Sequence, residues 1–212
     1  MNSRPNGFAI FLLLILAAGP VLVSAQDRVD ALELYRQGRY QDAVDATMKE
    51  IESMPRNMNS FTVLGWSLLA LDRYQEALEY GMRALQISRY DSRVIQIVGE
   101  AHFRLGHNLE ALKYLQEYIA INPNGELADQ VYDFMGETFI RLGEFHRADI
   151  AFSTAVYMDP ENARWWSRLG FAREQVGDNE YALEAYNKAL ELDPQLTEAL
   201  RGRARIRERT AG

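Results

Sequence analysis

The chain of 212 residues has no cysteine and only three histidines. The first absence excludes disulfides, thiolate nucleophiles, Cys-ligated zinc and a lipidated cysteine behind a leader. The second leaves His102, His107 and His146 as the whole imidazole supply. His102 and His107 are five positions apart and do not share a helical face, whereas a helical metal site needs ligands at i, i+3 or i+4. No metal or other cofactor is expected, and His102, in a core-facing column, reads as a packed side chain. Strand patterns are missing too, so no glycine-rich loop follows a strand to cradle a phosphate. The serines have no candidate base beside them in register. No catalytic residue is expected, and the chain does not read as an enzyme. Basic excess is also lacking: the net charge of −7 excludes a general nucleic-acid footprint.

Long apolar runs are absent except at the start. "MNSRPNG" carries one charge, Arg4, and "FAIFLLLILAAGPVLV" follows without a break before the small residues Ser24 and Ala25. A basic start, an apolar middle and a small-residue site form a secretory signal over residues 1–25, with cleavage after Ala25. The run contains Gly19 and Pro20 and is short for a bilayer span. The expected address is therefore exported. The absence of cysteine and of any Asn-x-Ser/Thr sequon favours a bacterial periplasm. If the segment stays uncleaved it becomes an anchor, and only then does the chain contact a membrane.

What is present is a repeat. Gly170, Gly136, Gly99 and Gly65 fall 34, 37 and 34 residues apart, and Ala31 lies a further 34 back. A second column runs Ala43, Ala77, Ala111, Ala148 and Ala182. A third holds Pro55, Pro123, Pro160 and Pro194, with Arg89 in the second copy, and a fourth holds Gly38, Gly106, Gly143 and Gly177, with Asp72. Glycine inside a helix costs about 1 kcal/mol relative to alanine, so its recurrence at one position predicts close helix packing. The fourth column supplies left-handed turn residues, and the prolines stop the second helix. Each unit is a helix, a tight turn and an antiparallel helix.

These columns resemble the tetratricopeptide repeat family, with its 34-residue unit. The resemblance is carried by Trp166, Leu169 and Gly170 on a first helix and by Ala182, Tyr186, Ala189 and Pro194 on a second. It spans residues 26–195 as five units, 26–57, 58–91, 92–128, 129–162 and 163–195. It implies an all-α, right-handed solenoid whose first helices line a concave surface. Residues 196–212 read as a capping helix and basic end, with Leu196, Leu200 and Ile206 on one side and Arg201, Arg203, Arg205, Arg207 and Arg209 on the others.

On the implied concave face, a second stripe beside the glycine column holds Leu32, Tyr35, Trp66, Leu69, Phe103, Ile140 and Phe171. Glu100 with Arg104 and Glu137 with Arg141, paired at i, i+4, add charge, as does Asp133. These residues form either an apolar trough for a peptide or helix with polar register, or a surface packed on neighbouring helices or covered by self-association. Carboxylate recognition through asparagine, known in part of the family, is not expected: this stripe has no such asparagine, and Glu100 and Glu137 would repel the ligand. Three readings stay open. "NPNGELADQ" either lengthens the next helix with Asn124 as cap, bends the stack, or is a loop insertion. Trp165 either covers the preceding helix or anchors a partner. The arginine-rich end either meets an anionic surface or complements its helix dipole.

The expected function is a non-enzymatic adaptor of the periplasm or envelope that binds another protein or peptide in the groove. The alternatives are an oligomeric small-ligand or transport accessory and an anchored structural spacer.

Overall fold

The computed structural model describes residues 30–211, so the expected signal segment and the first residues of unit one, 26–29, lie outside the described residues. Eleven α-helices follow in order among them: α1 (Ala31–Arg36), α2 (Tyr40–Ser53), α3 (Met58–Ala70), α4 (Tyr74–Ile87), α5 (Ser92–Arg104), α6 (Asn108–Ile121), α7 (Ala128–Arg141), α8 (Phe145–Met158), α9 (Ala163–Gln175), α10 (Asn179–Leu192) and α11 (Thr197–Ala211). Consecutive helices pack as antiparallel hairpins, and the hairpins stack into an all-α solenoid.

The first helix of most hairpins starts on a polar cap. Asp30, Asn57, Asp91 and Asn162 accept backbone N–H groups from the first turns of α1, α3, α5 and α9. Each hairpin then turns in one way. The amide of Gly38 donates to the Tyr35 carbonyl and that of Arg39 to the Leu34 carbonyl. The same pair of bonds recurs at Asp72/Arg73, Gly106/His107, Gly143/Glu144 and Gly177/Asp178. This double closure needs a left-handed residue. The glycines supply it with φ between 74° and 84°, and Asp72 adopts φ 58° without glycine's freedom.

The small-residue columns sit where helices approach most closely. Ala43, Ala77, Ala111, Ala148 and Ala182 are completely buried. A Cβ added to Gly136 would lie 2.6 Å from Cζ of Phe152, so the ring occupies the space that a side chain would take. Tyr186 is held from two sides, since a Cβ on Gly170 or on Gly202 would strike its ring.

Of the three residues beyond the period, one extends the start of α7, which has 14 residues against 13 in α3, α5 and α9, and none caps it. α6 ends at Ile121, and α7 begins after Leu127 without a side-chain cap, so Asn124 does not cap it. The segment is nonetheless packed: a Cβ on Gly125 would meet the Tyr118 hydroxyl at 2.5 Å.

Along the inner layer, α1, α3, α5 and α7 pack side by side. The backbones of α7 and α9 come less close, and the Glu137–Arg168 ion pair spans that seam. At the end of the stack, α11 covers α9 and α10. Its buried face is Ala199, Gly202 and Ile206, whereas Leu200, expected on that face, is exposed. The spacing i, i+3, i+7 selects the smaller residues because Tyr186 fills the space between the helices.

Candidate functional site

The inner helices leave a groove, part of which lies between units one and three. There a cavity of about 570 Å³ is lined from α1 by Tyr35, from α3 by Trp66 and Leu69, from α5 by Gln96, Glu100 and Arg104, and from the 122–127 loop by Glu126 and Leu127. Helix α3 is apolar on nearly every face, with its core side buried from Ser60 to Leu68 apart from Trp66. Trp66 is half-buried and also borders a neighbouring cavity of about 570 Å³ that includes Leu32. The Tyr35 and Trp66 rings stand 5.8 Å apart at 35°, and Tyr40 backs Tyr35 at 5.5 Å. Burial, with Tyr40 and the charge of Glu100 nearby, holds the Tyr35 phenol above its ordinary pKa.

Glu100 is the polar centre of this part. Its Oε2 accepts Nε2 of Gln96 at 2.8 Å, and its Oε1 takes Arg104 at 3.2 Å, the pair expected at i, i+4. The Arg104 guanidinium then lies over the Phe134 ring at 5.6 Å.

The stripe is not a continuous trough. Phe103 is buried and packs on Phe134 at 5.0 Å between ring centres. Arg141 covers it, with its guanidinium 4.0 Å from the ring centre and Nη1 donating to the Phe103 carbonyl at 2.8 Å. The expected Glu137–Arg141 pair therefore does not form: Glu137 binds Arg168 from the next unit, and Arg141 turns back onto α5. A stacked, carbonyl-bonded position gives a guanidinium more than an exposed i, i+4 ion pair does. Ile140 is half-buried against the core. Asp133 shares the seam with Glu137 and Arg168. Burial and the Glu137 carboxylate push its pKa up to about 6 against the pull of Arg164, Trp165 and Arg168.

Phe171 belongs to a separate cavity of about 300 Å³, lined also by Arg168, Glu174, Arg201, Arg205 and Arg209. Glu174 is its organising residue. The carboxylate is buried, takes Arg205 in a two-point grip, and accepts the Tyr186 hydroxyl at 2.8 Å and Arg209 at 3.2 Å. Burial raises its pKa, but Arg205, Tyr186 and Arg209 outweigh that and hold it below the ordinary value. Two of the C-terminal arginines are thus internal anchors of the cap.

Trp165 is buried in the core and is not an exposed anchor, while Trp166 is half-buried and donates Nε1 to the Pro160 carbonyl at 2.8 Å. His102 is half-buried and stacks on Tyr114 at 5.6 Å and 10°, consistent with a packed role. The sharp turn at Gly106 nevertheless brings His107 back, so the two Nδ1 atoms meet at 3.2 Å. Burial and the neighbouring His107 lower the pKa of His102. Among the described residues, no group of three or more His, Cys, Asp or Glu side chains could hold a metal, and no helix is long and apolar enough to cross a membrane.

Of the expected stripe, Tyr35, Trp66, Leu69, Glu100 and Arg104 meet around one cavity. Gln96, from the same helical stripe, joins them, as do Asp72, Tyr74, Glu126 and Gln130, which were not among the expected groove residues. Helix-face counting gives no signal for Asp72 and Glu126, which sit in a turn and in the insertion.

Repeated hairpins joined by left-handed turns, with one concave side, define a helical-repeat solenoid. Tetratricopeptide repeat sequence models match residues 29–92, 129–162 and 163–196, more than half of the chain, and the chain belongs to that family. It is similar to a TPR repeat-containing protein of Methanocaldococcus jannaschii, 26% identical over 175 residues, covering 82% of this chain and 30% of that protein. It is also similar to a BBSome complex member of Bos taurus, 23% identical over 166 residues, covering 78% and 31%. The chain thus spans less than a third of the length of either. Among solved structures, MamA superposes with a TM-score of 0.70 at 22% identity, covering 80% of this chain and 98% of that one. YrrB, described as a TPR protein with an unusual peptide-binding site, superposes with a TM-score of 0.69 at 21% identity, covering 82% and 88%. These likenesses establish the fold.

Proposed function

We infer that this chain is a protein-interaction scaffold, without catalysis of its own, that seats a segment of another protein in its concave groove. The observation that carries this reading is the half-buried Tyr35–Trp66 pair opening, with Leu69, onto a cavity of about 570 Å³. Aromatic side chains in a concave, partly apolar pocket are the usual anchors of protein recognition. Family membership supports the reading, as does the peptide-binding site named for the similar YrrB. The groove is walled by charge further along, so the apolar anchoring is confined to units one and two.

The test uses Leu69→Lys, which places a charge at the groove, and Tyr157→Lys on an exposed second-helix position, 87% accessible. The inference expects that a partner co-purified with the native chain is lost on the first change and kept on the second. The reverse pattern contradicts it.

The place of action inferred with this function is the periplasm or envelope, supported by the basic, apolar and small-residue order of residues 1–25. N-terminal sequencing of the exported chain should begin at Gln26. An earlier start contradicts cleavage after Ala25 and favours an anchored form.

A further inference from the structure

The cavity between α1, α3 and α5 has a charge balance of its own. Three aromatic side chains, Tyr35, Trp66 and Tyr74, and three carboxylates, Asp72, Glu100 and Glu126, share its lining with one cation, Arg104. That cation is already committed to Glu100 and to the Phe134 ring. Asp72 accepts the Tyr74 hydroxyl, and neither Asp72 nor Glu126 forms an ion pair among the described residues. The lining is therefore acidic with no cation to match it.

A second observation points the same way. Gln96 also lines the cavity and is 4% exposed. Its Nε2 donates to Glu100, which fixes the orientation of the amide, and leaves Oε1 buried with no donor. A buried acceptor without a partner is unfavourable, and an incoming N–H group removes that penalty.

We propose that this cavity is a subsite for a basic side chain, arginine before lysine, carried on an apolar segment of the partner protein. The proposal rests on the groove reading above and specifies what enters it. A guanidinium presents five donors in a plane and stacks on aromatic faces. In this cavity it lies against Trp66 or Tyr35 and faces Asp72 and Glu126, and a shift of the Gln96 side chain brings its now-closed Oε1 to the incoming donors. The opposite end of the groove is lined by Arg168, Arg201, Arg205 and Arg209 against only two carboxylates, Glu174 and Glu198, so its balance is positive and disfavours a basic residue there. Charge thus sets the direction in which the partner lies.

The experiment measures fluorescence anisotropy on the full chain with three labelled, end-capped dodecapeptides of alanine and leucine. They differ at one central residue, which is arginine, norleucine or glutamate. The arginine peptide is expected to bind roughly ten-fold tighter than the norleucine peptide, with the glutamate peptide weakest. The double variant Asp72→Asn with Glu126→Gln should bring the arginine-to-norleucine ratio to about one, asparagine being chosen because it tolerates positive φ; a ratio that stays near ten overturns the subsite. Equal binding of arginine and norleucine peptides, both lost on Leu69→Lys, overturns the basic subsite and leaves the groove reading standing. Binding of none of the three also overturns the subsite, and cross-linking at position 69 then judges the groove separately. Competition by acetyl-arginine-amide as strong as that of the arginine peptide overturns the partner-borne side chain in favour of a small cation.

Discussion

Arg205 closes on the buried carboxylate of Glu174 with two arms of its guanidinium, Nε at 2.9 Å from Oε1 and Nη2 at 2.7 Å from Oε2. This contact fastens the last helix to the fifth hairpin and ends the groove. Glu174→Gln is expected to destabilise the docking of α11 by about 1–2 kcal/mol, since it removes the charge held by the Tyr186 hydroxyl and by two half-exposed arginines. Hydrogen exchange should accelerate across residues 197–211 well before it does in α5.

The same carboxylate and Asp133 respond to pH in opposite directions. Glu174 titrates below its ordinary value, so its stabilisation is complete above about pH 4.5 and is lost as pH falls through the depressed folded-state pKa. Asp133 titrates near 6 when folded, so the folded state binds the extra proton between about pH 4 and 6, and stability falls as pH rises through that window. Asp133→Asn should therefore raise stability at pH 7 by on the order of 2 kcal/mol and have little effect at pH 4. Urea titrations of both proteins at the two pH values check the difference.

Among the described residues, Asp72 is the one hairpin-turn residue that takes the left-handed conformation without being glycine. Asp72→Gly should stabilise the chain by about 0.5–1 kcal/mol by relieving that strain, and Asp72→Val should destabilise it by more. Thermal unfolding of the two variants reads the difference. A glycine variant no more stable than the parent would assign the Asp72–Tyr74 hydrogen bond a larger role than the strain.

Phe103 and Leu69 separate core from groove. Phe103→Ala should cost about 3–5 kcal/mol, because it empties a site packed by Phe134 and Arg141. Leu69→Lys should cost far less while abolishing partner capture. Denaturant midpoints beside a binding assay distinguish the two roles.

The hairpins were legible because each rests on a residue type that serves one backbone or packing need: glycine at the turns, alanine at the closest approach, proline after the second helix. The side-chain partners across the groove were less legible. Glu137 had an arginine four residues ahead and another 31 residues ahead, and spacing alone favours the near one. The solenoid brings α7 and α9 within reach of each other and frees Arg141 to cover Phe103. Similarly, a separation of five positions sets His102 and His107 apart on one helix but unites them across a turn. Glu126 stayed hidden because the loop that carries it folds into the groove through Gly125, a contact with no periodic signature.

The most direct test of the docking account places a photo-reactive benzophenone amino acid at position 69 in the groove or at position 157 on a second helix, in the full chain expressed in its native cells. The account predicts one discrete cross-linked partner from position 69, absent from position 157 and diminished by an excess of the arginine-bearing dodecapeptide. Cross-linking to that partner from position 157 but not from position 69 would contradict it.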